Sequence, residues 1–165
     1  MQEFLVNFIG SLSFEAKILA VLIISMIPII ELRLAIPIGV AVGLSPYIAI
    51  PLAIVGNLIP VPFIILFIKK IFSWMRKVSP KLNGIVDRME AKAEKNKTKV
   101  LKYAFWGLVI FVAIPLPGTG AWTGALVAAM LDMPLKKAFP SVVLGVLIAG
   151  AIVAFVSYGA AAVLF

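Results

Sequence analysis

Apolar residues run almost without interruption through residues 14–45 (FEAKILAVLIISMIPIIELRLAIPIGVAVGLS) and again through 103–131 (YAFWGLVIFVAIPLPGTGAWTGALVAAML). A helix crossing the hydrocarbon layer needs about 20 residues at about 1.5 Å each. Each stretch is therefore long for one crossing and short for two with a turn. Each is also interrupted at its centre, between Pro28 and Pro37 in the first and at Pro115-Leu116-Pro117-Gly118-Thr119-Gly120 in the second. This pattern predicts two re-entrant helical hairpins that enter the membrane, break near mid-depth and leave on the side they entered. Irregular backbone at that depth is tolerated only inside protein or against a cavity. Two further apolar runs, 46–68 and 138–163, have the length of ordinary spans. Between the halves lies a polar segment, 69–102. Its apolar positions 82, 85, 86, 89 and 93 recur at three- and four-residue steps, predicting an amphipathic helix on the cytoplasmic surface.

Composition agrees with this pattern. Hydrophobic residues make up 63% of the chain, and the mean hydropathy is +1.16, which places it among integral membrane proteins. Cysteine and histidine are both absent, removing disulfides, thiolate metal sites and the commonest general base. Seven carboxylates scattered along the chain offer no catalytic constellation. The expectation is a protein that is not an enzyme and holds no metal or cofactor. The N-terminal MQEFLVNFIGSLSFEAK lacks the basic region of a cleaved signal peptide.

Charge adds an orientation. Of the 15 basic residues, 11 lie in 69–102, against only Asp87, Glu90 and Glu94, so this segment carries the whole net charge of +8. The positive-inside rule places it in the cytoplasm. The block reads first as a topology anchor with a solvated face, and second as a helix gripping anionic lipid headgroups. Nucleic acid is not an expected partner, because no base-reading aromatics accompany the charge.

The chain also resembles itself. Ile27-Pro28 aligns with Ile114-Pro115 at an offset of 87 residues, Pro46 with Pro134 at 88, and Pro51–Gly56 with Pro140–Gly145 at 89. Each repeat is one hairpin followed by one span. With 69–102 inside, the second hairpin opens to the cytoplasm and returns near Lys136 and Lys137, while the first opens outward. Lys17, near the outer surface, fits this less well. One crossing separates equivalent points, so the repeats are inverted, a recurrent transporter plan with its site near the midplane. The competing reading is four to six ordinary helices, with glycines such as Gly39, Gly43, Gly120 and Gly124 serving close packing.

Glu31 and Arg33 fall at the deepest point of the first hairpin, where charge is costly and by default marks function. Arg33 suits an anionic group such as phosphate; Glu31 could carry a coupling proton; a structural ion pair is the plainer reading. Pro37 closes this break. The second break, Pro117, Gly118, Thr119, Gly120, Trp122 and Thr123, is uncharged. It offers backbone groups, two hydroxyls and an indole N–H, as a ligand surface or equally as a packing turn. Asn57, within the first span, serves as interhelical glue or as a ligand contact.

The segments ELRLAIPIGVAVGLSP and IPLPGTGAWTGALVAAMLDMP resemble the two signature segments of the small multidrug export protein family of bacteria and archaea, across residues 15 to 160. More distantly the chain is similar to DedA/VTT membrane proteins. That resemblance implies paired re-entrant hairpins in inverted repeats, a first-hairpin carboxylate at Glu31, and lipid flipping or proton-coupled transport. GTGAWTG stands where the DedA-like group has arginines around its second hairpin, so phosphate-lipid recognition would rest on Arg33.

The expectation is thus an all-α membrane transporter of two inverted repeats in a prokaryotic cell membrane, moving an amphipathic or lipidic substrate with or without proton coupling. A DedA-type flippase of a phosphate-headgroup lipid is the alternative. A non-transporting assembly or structural protein is the second. Four crossing elements enclose little cavity, which makes a homodimer plausible.

Overall fold

The computed structural model describes residues 2–78, 80–101, 105–116 and 119–164, and every regular element among them is a helix. In chain order these are α1 (Gln2–Gly10), α2 (Phe14–Ser25), α3 (Glu31–Ala41), α4 (Pro46–Leu58), α5 (Pro60–Val78), α6 (Pro80–Leu101), α7 (Phe105–Ala113), α8 (Ala121–Met130) and α9 (Leu135–Leu164). Among the described residues two helical runs are long and apolar enough to cross a membrane: Pro46–Val78, which contains α4 and α5, and Leu135–Ser157 within α9. The first continues ten residues beyond the expected end at 68, because neither glycine nor proline interrupts Phe63–Val78. Pro60 and Pro62 sit in the first turn of α5, where the missing N–H costs little. By contrast α2 and α3 have 12 and 11 residues, rising about 17–18 Å, roughly half of a hydrocarbon layer about 30 Å thick.

The chain divides into two compact units, Met1–Ile59 with Val146–Phe165, and Pro60–Gly145. In the first, α2 and α3 fold back on each other. The Lys17 ammonium, in the first turn of α2, donates to the Val42 carbonyl at the end of α3 at 3.2 Å, so the two ends of the hairpin meet. This gives Lys17 a local partner among carbonyls at a helix C-terminus, where a cation is favoured. Helix α4 packs on both arms. Gly39 of α3 meets Ala49, while Gly56 lies against Ser25 and the Leu22 carbonyl of α2. Val21, Leu32, Ala35, Ile36, Ile38 and Ala53 are fully buried there. Helix α1 buries Ile9 and leaves Phe4 and Phe8 exposed and stacked, with ring centroids 6.3 Å apart.

In the second unit, α8 is apolar around its whole circumference and almost entirely buried, as expected of a helix enclosed by α5, α6 and α7. Gly124 of α8 meets Val112 and Leu108 of α7. The amphipathic helix expected across 82–93 forms as α6, yet it packs on protein: Val86 is fully buried. Arg76 of α5 reaches Asp87 and Glu90 of α6, each at 2.8 Å, and Lys69 binds Asp132, beyond α8, at 2.6 Å.

Local geometry occurs twice. The four positive-φ residues among those described form two pairs 89 apart, Glu31 with Gly120 and Gly43 with Asp132. At the end of α3 the N–H of Leu44 donates to the Gly39 carbonyl and that of Gly43 to Val40; at the end of α8 Met133 donates to Ala128 and Asp132 to Ala129. These are one Schellman-type cap used twice. The next helix starts alike, with Ile48 and Ala49 donating to Ser45 and Lys137 and Ala138 donating to Pro134. Ser45, not Pro46, is therefore the equivalent of Pro134, which corrects the expected offset of 88 to 89. Before the breaks the offset is 87: Gly56 meets Leu22 and Ser25, while Gly145 meets Val109 and Val112. Two residues are added inside the second break. One residue turns a helix by about 100°, so length changes within the helices would have rotated their packing faces, whereas an irregular turn absorbs them.

Candidate functional site

The first break begins where Pro28 prevents α2 from continuing. Met26 and Ile27 donate to Ile23 and Ile24, Ile30 donates to Ile27, and Glu31 also donates to the Ile27 carbonyl at 2.9 Å. The turn places Glu31 at φ 48, a left-handed conformation uncommon for a residue with a side chain. Glu31 is only 4% exposed, at the N-terminus of α3, where backbone N–H groups favour negative charge. The Arg33 Nε lies 3.9 Å from its Oε2, an ion pair too long for a hydrogen bond. Pro37, one turn further, cannot donate the helical bond to the Arg33 carbonyl. Strain, burial and paired charge thus coincide within seven residues.

Asn57 is 1% exposed in the last turn of α4, and neither its Oδ1 nor its Nδ2 has a hydrogen-bond partner among the described residues. An unpaired buried amide costs roughly 1–3 kcal/mol.

The second break is organised differently. The Thr119 hydroxyl lies 2.6 Å from the Ile114 carbonyl and 2.8 Å from that of Leu116, so it closes the turn it belongs to. Gly120 has φ 110 and ψ −174, a region essentially reserved for glycine. It opens α8 with no side-chain cap. Thr123 is buried, and Trp122 lines an open groove along α5. Pro117 and Gly118 lie outside the described residues. Of the candidates, Glu31, Arg33, Pro37 and Asn57 belong to the first unit, and Thr119, Gly120, Trp122 and Thr123 to the second.

The sequence reading passed over the groove itself. It is formed by Phe63, Phe67, Ile71 and Trp74 with Lys70. The signal was present as an apolar stripe at helical spacing that runs past residue 68 into the basic segment. No cluster of carboxylates capable of holding a metal ion occurs among the described residues.

Comparison with known proteins gives one finding. A family model described as "Putative small multi-drug export protein" matches residues 31–152, beginning at Glu31, part-way through the first break, and covering the second. No curated protein and no solved structure matches.

Proposed function

The chain belongs to the small multi-drug export protein family, and from that premise we propose that it transports an amphipathic or lipidic substrate across the membrane, with Glu31 and Arg33 at the working break. The observation that carries this reading is Glu31: a buried carboxylate, in a backbone conformation that disfavours it, on a chain whose equivalent position is glycine. Such strain persists where the surrounding structure enforces it, and it gathers at functional sites. Glu31 can accept a substrate cation or carry a proton, and Arg33 keeps a compensating charge beside it.

The same reading takes α2–α3 and α7–α8 as re-entrant hairpins of inverted repeats. Supporting it are the shortness of these helices, the repeated caps and the basic segment that sets sidedness.

The test is proteoliposomes holding the full chain, a lipophilic cation such as tetraphenylphosphonium, and an imposed pH gradient. Gradient-driven movement of the cation is expected, and Glu31→Gln is expected to reduce it more than tenfold at unchanged protein incorporation. Equal rates for Glu31→Gln and the native chain would remove Glu31 from the mechanism.

A further inference from the structure

Helix α5 carries along its length a stripe that the transport reading does not use. Phe63, Phe67, Lys70, Trp74 and Lys77 recur at steps of four and three residues and so share one helix face. An open groove of about 620 Å³ follows this face, with Trp122 of α8 beside it. Phe63, Phe67, Ile71 and Trp74 are all exposed. The groove adjoins a depression of about 390 Å³ lined by Lys69, Lys70, Ser73, Trp74 and Lys77, and Lys70 and Trp74 belong to both. From Phe63 to Trp74 the helix rises about 16 Å, close to the ~15 Å of hydrocarbon in one leaflet. Trp74 and the lysines then fall where indoles and snorkelling ammonium groups concentrate, at the level of the headgroups.

We propose that this groove is a binding site for an anionic phospholipid, one acyl chain lying along Phe63, Phe67 and Ile71 and the phosphate resting on Lys70, Ser73 and Lys77. Charge selects this occupant. The neighbouring cleft of about 440 Å³ holds Arg76 with Glu90; Arg76 also pairs with Asp87, and Lys69 pairs with Asp132. Among the described residues no carboxylate lines the smaller depression. A lipophilic cation would meet two lysines there, so this groove is unsuited to the cargo proposed for Glu31. The site is that of a resident lipid, and its occupancy does not depend on whether the chain moves any substrate.

The full chain in phosphatidylcholine vesicles provides the test. Phosphatidylglycerol bearing a doxyl quencher on its acyl chain is compared with doxyl-labelled phosphatidylcholine, with tryptophan fluorescence as the readout. The anionic lipid is expected to be preferred about tenfold, given the attraction of each lysine near the surface. Lys70→Gln with Lys77→Gln should bring the two lipids to parity, and Lys70→Arg with Lys77→Arg should restore the preference. Trp74→Phe should lower the quenched amplitude. All four lysine substitutions are at exposed positions, and helical circular dichroism verifies the fold. Equal quenching by both lipids in the native chain, a preference that survives the glutamine pair, or displacement by inorganic phosphate alone would each overturn the site.

Discussion

At the residue scale, Glu31 offers a test in which strain and chemistry separate. Glu31→Ala and Glu31→Gly both remove the carboxylate, but only glycine relieves a φ of 48. In an ordinary helix interior alanine is the more stable of the two by about 1 kcal/mol. Here the order should reverse, with the glycine variant more stable by about 1 kcal/mol and both inactive in transport. Thermal unfolding in detergent reads the first outcome. Asn57 is argued the same way. Its equivalent in the second repeat, at the offset of 89, is Val146, which is fully buried. Asn57→Val should therefore raise stability by about 1 kcal/mol, because it removes an amide without partners among the described residues. If it lowers stability instead, the amide is satisfied in the membrane by a ligand or water. Glu31, Arg33 and Asn57 were visible in the sequence as polar residues in apolar surroundings. The positive φ of Glu31 was not, since a glutamate carries no mark of it. Nor was the closing role of Thr119, which depends on the path of the turn.

At the element scale, helix crossings rest on glycines that leave no room for a Cβ. One added at Gly56 would collide with Ser25 and the Leu22 carbonyl, and one at Gly145 with Val112 and the Val109 carbonyl. Gly56→Ala and Gly145→Ala should each destabilise by roughly 1–3 kcal/mol through this overpacking. Gly84→Ala, with nothing within 4 Å in α6, should be stabilising by roughly 0.5–1 kcal/mol. Comparable melting losses at the two crossings, against a gain at Gly84, would mark them as one packing device used twice. Proline and glycine positions made both breaks and the apolar runs legible in the sequence. Helix α1 escaped because its nine residues, with one buried side chain, fall short of the length at which a helical period is told from a strand or loop. The extension of α5 to Val78 escaped because lysines and arginines, good helix formers, resembled the start of a loop.

At the scale of the whole molecule, the proposed inverted repeat turns on which side of the membrane each proposed hairpin opens. Equivalent positions in inverted repeats lie on opposite faces of the bilayer, whereas parallel repeats would place them on one face. Ser45 and Lys136, two residues beyond its equivalent Pro134, suit the test. Both are exposed, at the mouths of α3 and α8, just where α4 and α9 begin. The chain contains no cysteine, so a single introduced thiol is unambiguous. A membrane-impermeant maleimide applied to intact cells should label Ser45→Cys and spare Lys136→Cys; inverted membrane vesicles should reverse the pattern. The expected orientation follows from the proposal that the basic segment 69–102, with 11 cations against 3 anions, stays inside. Labelling of both thiols from one face would leave the repeated caps of α3 and α8 intact as local structure. It would remove the opposed hairpins on which the transport reading is built.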